Sequence, residues 1–377
     1  MRTAIVHYWL LGMRGGERVV EALCHLLPEA DIFTLFYDPE KVSPLIRSRN
    51  VIASFLNPLR RGYRSLLPLM PMALEHLDLR GYDLVVSSES GPAKGVILNS
   101  HTRHVCYCHT PMRYLWDLYP DYLHEWTESR IKRALMTPLT NYLRMWDFAS
   151  AARVDEFVAN SENVRQRIWK TYRRDATVIH PPVAVESFHW EPPEDYYLIV
   201  SELVAYKRVD TAVRAFAKNG RKLRIVGDGP EFKRLRAIAP PNVEFLGRVS
   251  DGRLRTLYAR CRAFVMPGEE DFGIAAVEAV ASGKPVIALG RGGVREIVAP
   301  EAAFFYDSPD EENLAAAISR FEATPPRPSV AATTARFAEA EFARKMREIL
   351  YRSAAGTSGA GRGTYKESGR ASRPFAV

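Results

Sequence analysis

Along the chain, short runs of consecutive apolar residues alternate with longer stretches in which apolar residues recur every three or four positions. The short runs predict strands at Thr3–His7, Ile32–Phe36, Leu84–Ser87, Val105–Cys108 and Glu156–Ala159. After an interruption they resume at Tyr197–Ser201, Leu223–Val226, Val243–Leu246, Ala263–Met266 and Val286–Leu289. The longer stretches predict helices, for example at Glu17–Leu27, Glu162–Tyr172, Asp210–Ala217 and Ala275–Ser282. Strands that alternate with helices imply βαβ units and parallel sheets. The pattern runs twice, although no internal sequence repeat accompanies it.

The interruption falls at Ile179–Glu194, which contains the pairs Pro181–Pro182 and Pro192–Pro193. Proline pairs suit neither helix nor sheet. Two doubly wound α/β domains are therefore expected, residues 1–187 and 188–352. A tail at 353–377, rich in Gly, Ser, Ala and Arg, is expected to be disordered. Ligands of such sheets bind at the carboxyl ends of the strands, so the cleft between two facing domains is the expected site.

Composition narrows this picture. At 377 residues the chain is long for one core. The net charge is +8, of which +3 lies beyond Arg352. The remaining excess suits an anionic ligand or membrane surface but is too diffuse for nucleic acid. Cys24, Cys106, Cys108 and Cys261 all sit in apolar surroundings and read as buried thiols in a reducing compartment. Met1–Leu11 lacks the apolar core and cleavage site of a signal peptide. No stretch approaches the ~20 apolar residues of a membrane-spanning helix. A cytoplasmic protein is expected, soluble or lying on the inner membrane face.

The strongest chemical signal is FVMPGEEDFGIAAVEAVASGKPVIA at Phe264–Ala288. A buried strand leads into an acidic, glycine-containing loop, and a helix starts near Ile274. Its free backbone amides form an anion and hydroxyl site. Glu270 lies in the loop and Glu278 inside the helix, so both can face one cleft. A second constellation, SELVAYKRVD at Ser201–Asp210, follows the first strand of the second domain. There Lys207 and Arg208 at a helix start can meet a diphosphate. A third, IVGDGPE at Ile225–Glu231, carries Gly227 and Gly229 in a strand-to-helix turn, with Pro230 at a favoured first helical position. It lacks the third glycine of the dinucleotide fingerprint. In the first domain, Gly12–Gly16 follows the first strand and opens a helix, so Gly15 and Gly16 permit close backbone approach to a phosphate. Val105–Tyr119, VCYCHTPMRYLWDLY, ends a buried strand at His109, whose neutral imidazole can bond a sugar hydroxyl. Tyr114, Trp116, Tyr119, Tyr122 and Trp126 are equally suited to sugar stacking and to core packing. His104, Cys106, Cys108 and His109 are close together. However, His109 points to the opposite strand face from Cys108, and no second pair stands at finger spacing, so no metal is expected.

These motifs resemble the GT4 family of retaining glycosyltransferases, whose fold is GT-B: two Rossmann-like domains facing across a cleft. The resemblance covers about residues 3–350. Glu270 and Glu278 match the family's E-x7-E pair, flanked by Phe272, Gly273 and Ile274. It implies that Glu270 touches the donor sugar and Glu278 holds the ribose hydroxyls. It also places His109 beside the donor sugar, Gly15 and Gly16 near the donor, Lys207 on the diphosphate, and Gly227 and Gly229 along the nucleotide pocket. The first domain would receive the acceptor and the second the donor. One position departs from the pattern. The family carries an arginine just after the strand that precedes Lys207, and here that position is Glu202, leaving Arg208 and Arg248 as nearby sources of a second charge. CHTPMRYLWD and VIHPPVAVESF at Val178–Phe188 further resemble the WbaZ-like mannosyltransferase branch.

The resemblance implies transfer of a hexose, mannose from GDP-mannose, to a polyprenyl-diphosphate-linked saccharide or other glycan in surface-polysaccharide synthesis. In the family's chemistry the leaving diphosphate itself helps deprotonate the acceptor on the same face, so configuration is retained; no D-x-D aspartate pair stands out at the site, and no metal or other cofactor is expected. A UDP-sugar donor, a sugar-nucleotide epimerase and a non-catalytic nucleotide-sugar sensor are the alternatives. A phosphorylase would carry a pyridoxal-phosphate lysine in an extended second domain, for which this length leaves no room. Finally, Asn57–Arg80 mixes Arg60, Arg61, Arg64 and Arg80 with Leu66, Leu67, Leu69, Met70, Met72 and Leu74. That composition suits an anionic membrane surface, and equally a core segment with a charged rim.

Overall fold

A computed structural model of the chain describes residues 1–120, 130–324 and 331–352. The expected tail, 353–377, lies outside the described residues, as do Tyr122 and Trp126. The first unit holds strands β1 (Thr3–His7), β2 (Asp31–Thr34), β3 (Val51–Ala53), β4 (Leu84–Glu89), β5 (Arg103–Cys108), β6 (Glu156–Ala159) and β7 (Ala176–Val178). They form one parallel sheet in the order β3-β2-β1-β4-β5-β6-β7. The second unit holds β8 (Tyr197–Val200), β9 (Leu223–Val226), β10 (Val243–Gly247), β11 (Phe264–Met266), β12 (Val286–Leu289) and β13 (Ala303–Tyr306). They form a second parallel sheet in the order β10-β9-β8-β11-β12-β13. Both sheets reverse their winding beside the first strand of the unit, which makes each doubly wound.

Both faces of each sheet are covered, which explains why the strands read as continuous apolar runs. On one face of the first sheet, Ile5, Val86 and Val105 pack with Val19, Val20 and Leu23 of the helix Gly15–Leu26. On the other, Ala4, Val6 and Val85 pack with Met70, Ala73 and Leu74. In the second sheet, Ile199, Ile225, Val265 and Ile287 pack with Phe216 and Ile318, while Leu198, Phe264 and Val286 face Val277 and Val280. The C-terminal helix Glu339–Leu350 returns to the first unit. Its Phe342, Met346, Ile349 and Leu350 complete the core around Ile5 and Val105. Residues past the second sheet thus pack against the first.

Asn57–Arg80 is built in pieces. A 3₁₀ segment at Asn57–Leu69 meets a short helix at Met70–Glu75, with Pro68 and Pro71 at the junction. Met70 and Leu74 are buried, and Leu66 and Leu67 pack against the core. The apolar side chains left exposed are Leu59, Leu69 and Met72. The four cysteines are free and buried. No helix among the described residues is long and apolar enough to cross a membrane.

Under the site, a fully buried ionic cluster ties the first unit together. Lys94 pairs with Asp147 of the helix Arg130–Ser150 and lies 3.5 Å from Glu89 at the end of β4. Trp116 Nε1 and the Tyr172 hydroxyl both donate to Asp147 Oδ2, at 2.7 and 2.9 Å. Burial pushes the Glu89 carboxyl up to about 7, against the pull of Lys94. Breaking such a cluster strands buried charge, at a cost of about 3–5 kcal/mol. Lys94→Met is therefore expected to lower the urea midpoint of the unit strongly. A midpoint equal to wild type in circular dichroism titrations would show that the cluster contributes nothing to stability.

Candidate active site

The loops after β1, β5, β8, β9 and β11 carry the glycine turn of Gly12–Gly16, His109, Lys207, the turn of Gly227 and Gly229, and the acidic loop, and they meet at one cleft. From β11, the chain passes through Pro267 and Gly268 to three successive carboxylates, Glu269, Glu270 and Asp271. It then enters the helix Ile274–Ala281 through Gly273, whose φ of 106° is left-handed. The loop is held by its neighbour, with the Gly293 N–H donating to Glu270 O at 2.9 Å.

Glu270 pairs with Lys207, from the turn after β8. Burial lowers the Lys207 pKa and the Glu270 charge raises it, and the net effect is upward, so the ammonium stays charged. Arg208 sits at the start of the helix Val209–Asn219 with φ of 54° and its side chain exposed; it makes no ion pair among the described residues. Gly227 and Gly229 bring the turn after β9 against this loop. A Cβ on Gly227, at φ of 129°, would lie 1.8 Å from Ser201 O, and one on Gly229 2.3 Å from Leu203 O.

From the first unit, the helix Gly15–Leu26 points its N-terminus into the cleft. A Cβ on Gly15 would come within 2.9 Å of Ile274 Cδ1, so here the two helix starts nearly touch. A Cβ on Gly16 would meet the Tyr8 hydroxyl at 3.3 Å and His109 Nε2 at 3.7 Å. Glu17 Oε2 accepts the Arg14 N–H at 3.1 Å, and burial raises the Glu17 carboxyl to about 7. His109 Nε2 lies 2.9 Å from Ser88 Oγ, and the His109 backbone N–H donates to Glu89 O at 2.7 Å. Burial lowers the His109 pKa to about 4, so the ring is neutral at pH 7 and can serve as a hydrogen-bond partner.

Glu278 lines a cavity of about 450 Å³ between the units, with Arg18, Glu21 and His25 on one wall and Asp251, Leu254 and Ile274 on the other. Burial raises its carboxyl to about 7, opposed by the Tyr258 hydroxyl and by Arg18. Phe272 is instead buried against His180 and Phe337, with ring centroids 5.4 and 5.6 Å away, and supports the loop from the junction between units. Of the aromatic cluster, Trp116 serves the Asp147 network and Tyr119 packs beneath Arg144.

Sequence reasoning missed the cations that hold the acidic loop from the first unit. Arg167 pairs with Asp271, with Glu269 at 2.5 Å and with Asp117 at 3.0 Å. Arg113 lies 3.7 Å from Asp271 and 5.4 Å from the Tyr206 ring. Ser161 Oγ donates to Asp271 O at 2.7 Å, and Glu296 accepts the Glu162 N–H at 2.9 Å. Arg113 stands inside the HTPMRY motif and was legible there. Arg167 lies on an ordinary amphipathic helix with no local signal. Among the described residues no group of three metal-ligating side chains is assembled.

Two facing doubly wound units with a shared cleft at the strand ends constitute the GT-B class of glycosyltransferase architecture. Sucrose-phosphate synthase from Thermosynechococcus elongatus superposes with a TM-score of 0.69 at 20% identity, covering 93% of this chain and 98% of that one. Anabaena HepE in complex with UDP and glucose does so at 0.66 and 17%, covering 93% and 99%. A model described as Glycosyltransferase Family 4 matches residues 13–187, and one described as Glycosyl transferases group 1 matches residues 184–338. The chain belongs to this GT4-type family of transferase enzymes. An uncharacterised glycosyltransferase of Methanocaldococcus jannaschii is 30% identical over 149 residues, 38% of this chain and 42% of that protein. A GDP-mannose-dependent alpha-mannosyltransferase of Mycolicibacterium smegmatis is 40% identical over 102 residues, 27% of each chain. The matches thus span less than half the length of these relatives.

An ionised Glu278 accepts hydroxyl hydrogen bonds better than a protonated one. Because its carboxyl is raised to about 7, the charged form grows as pH rises through 7. Nucleotide affinity is expected to rise severalfold between pH 6 and 8, and Glu278→Gln to flatten that rise. Calorimetry on both proteins, showing identical pH profiles, would remove Glu278 from the binding site.

Proposed function

We propose that the protein is a retaining glycosyltransferase that moves mannose from GDP-mannose to a lipid-linked or saccharide acceptor in surface-polysaccharide synthesis, without a metal. The observation that carries the reading is the meeting of Lys207 and Glu270 at the ends of β8 and β11, beside two glycine-lined helix starts and the neutral His109. Lys207 and the helix N-termini suit a departing diphosphate, Glu270 and His109 suit sugar hydroxyls, and Glu278 suits the ribose. No side chain is then needed as a nucleophile: orientation and stabilisation of the leaving diphosphate do the chemistry. Mannose and guanine are supported by the GDP-mannose-dependent relative. A UDP-sugar is the second reading, favoured by the UDP and glucose in HepE.

Glu270→Ala and Lys207→Ala are each expected to cut turnover at least about tenfold, about 1.4 kcal/mol of transition-state stabilisation. Activity is expected to persist in EDTA. Isothermal calorimetry with GDP and UDP decides the base, and slow hydrolysis of the bound sugar nucleotide distinguishes a transferase from a sensor. Tighter UDP than GDP binding would replace the donor, and near-normal turnover in both folded variants would move the active site elsewhere.

The acceptor reading places the first unit at a membrane. Exposed Leu59, Leu69 and Met72 stand on the same segment as Arg60, Arg61 and Arg64. Such a face suits anionic headgroups, at about 1 kcal/mol per basic residue. Binding to vesicles containing anionic lipid is expected to weaken with salt and to be lost when Arg60, Arg61 and Arg64 become Glu, with nucleotide binding kept. Equal binding to neutral and anionic vesicles, or none, would make the segment a plain core rim.

A further inference from the structure

The loop that ends at Lys207 carries one carboxylate close to where an anion would lie. Glu202 stands two residues beyond β8, between Ser201 and Leu203, whose carbonyls face the turn of Gly227 and Gly229. A bare carboxylate there would repel a diphosphate. It is not bare: Arg14 Nη1 reaches across the cleft and lies 3.1 Å from Glu202 Oε2. Arg14 immediately precedes Gly15, at the helix start that almost touches Ile274, and its backbone N–H is held by Glu17. Its backbone is therefore anchored at the mouth of one helix while its guanidinium rests on the loop of the opposite unit. The pair is half-exposed, at 51% and 32%, and exposed pairs of this kind hold weakly. A nucleoside diphosphate offers the same guanidinium two doubly accepting, more highly charged groups, and bidentate charge-assisted bonds to phosphate are stronger.

We propose that Arg14, from the first unit, is the second cation of the donor diphosphate, acting with Lys207, and that Glu202 is its resting partner when no nucleotide is bound. The inference rests on the reading of the cleft as a nucleotide-sugar site. It places one half of the phosphate clamp on each unit, so that diphosphate binding draws the two units together. Arg208 and Arg248 are exposed, and neither makes an ion pair with the loop among the described residues.

The test uses the full chain and whichever of GDP and UDP the wild type binds, compared with the matching monophosphate. Arg14→Ala is expected to weaken the diphosphate about tenfold and the monophosphate by much less. Adding Glu202→Arg to Arg14→Ala returns a cation to the loop and is expected to restore diphosphate affinity to within about threefold. Unchanged diphosphate affinity in Arg14→Ala would overturn the proposal. So would rescue by the charge-reversed pair Arg14→Glu with Glu202→Arg but not by Arg14→Ala with Glu202→Arg, because that pattern belongs to a latch between units. Wild-type protein that binds neither nucleotide would overturn the donor-site reading itself, and this proposal with it.

Discussion

Three adjacent carboxylates, Glu269, Glu270 and Asp271, cannot be packed into a partly buried loop without cations, and this chain supplies those cations from both units. Lys207 answers Glu270 from the second unit, while Arg167 and Arg113 answer Glu269 and Asp271 from the first. Arg167 is only 13% exposed, so its charge is compensated by these carboxylates rather than by water. Separating the units would leave Glu269 and Asp271 without partners and Arg167 with Asp117 alone. The acidic loop is thus held from both sides, by Lys207 and the Gly293 N–H within its own unit and by Arg167 and Arg113 from the other. Glu296 adds a further contact across the same boundary by accepting the Glu162 N–H at the start of the helix Glu162–Tyr172.

The topology explains why so much chemistry is brought together by so few residues. In a doubly wound sheet, the loops on either side of the winding reversal splay apart and leave a crevice at the carboxyl ends. Both units have the reversal beside their first strand, β1 and β8. The loops that follow, carrying Arg14–Gly16 and Glu202–Lys207, are consequently the ones that meet. Helix dipoles add to this: the starts of Gly15–Leu26 and Ile274–Ala281 are close enough that a methyl group on Gly15 would press on Ile274. Two helix starts and the ammonium of Lys207 thus stand among the carboxylates of one cleft.

Most of the architecture was legible because the sheets are buried on both faces, so their strands stand out as uninterrupted apolar runs. Thr3–His7, Glu156–Ala159, Leu223–Val226 and Val286–Leu289 were read with their observed bounds. Val51–Ala53 and Ala176–Val178 were not, because three-residue edge strands with half-exposed side chains carry no such signal. Ala303–Tyr306 was missed although its AFFY run carries the apolar signal. At the site, residues tied to backbone devices were readable: glycine turns, strand ends and helix starts announce themselves locally. Arg167 and the Arg14–Glu202 pair were not, because their meaning lies in partners 102 to 188 positions away. The methionine- and leucine-rich segment shows the converse. Composition left it between an interfacial and a core reading, and only packing separates buried Met70 from exposed Met72.

Burial also sorts the titrating groups in and around the first unit and the cleft into two opposed sets. His7, His104 and His109 are lowered to about 3, 4 and 4 by desolvation, whereas Glu17, Glu89 and Glu278 are raised to about 7 by the same cause. Below the ordinary histidine value of 6.5, the unfolded chain takes up protons that the folded histidines refuse, so these residues make stability fall as pH falls. Above the ordinary glutamate value of 4.5, the folded carboxyls keep protons that the unfolded chain has released, so they make stability fall as pH rises towards 7. Across 4.5 to 6.5 the two slopes oppose each other. Below that window only the histidine penalty remains, and above it only the carboxyl one. The raised carboxyls therefore lower stability near neutrality, where the histidines cost nothing and offset nothing. Glu278 itself ionises near 7, at the upper edge of the range over which the histidines shape stability.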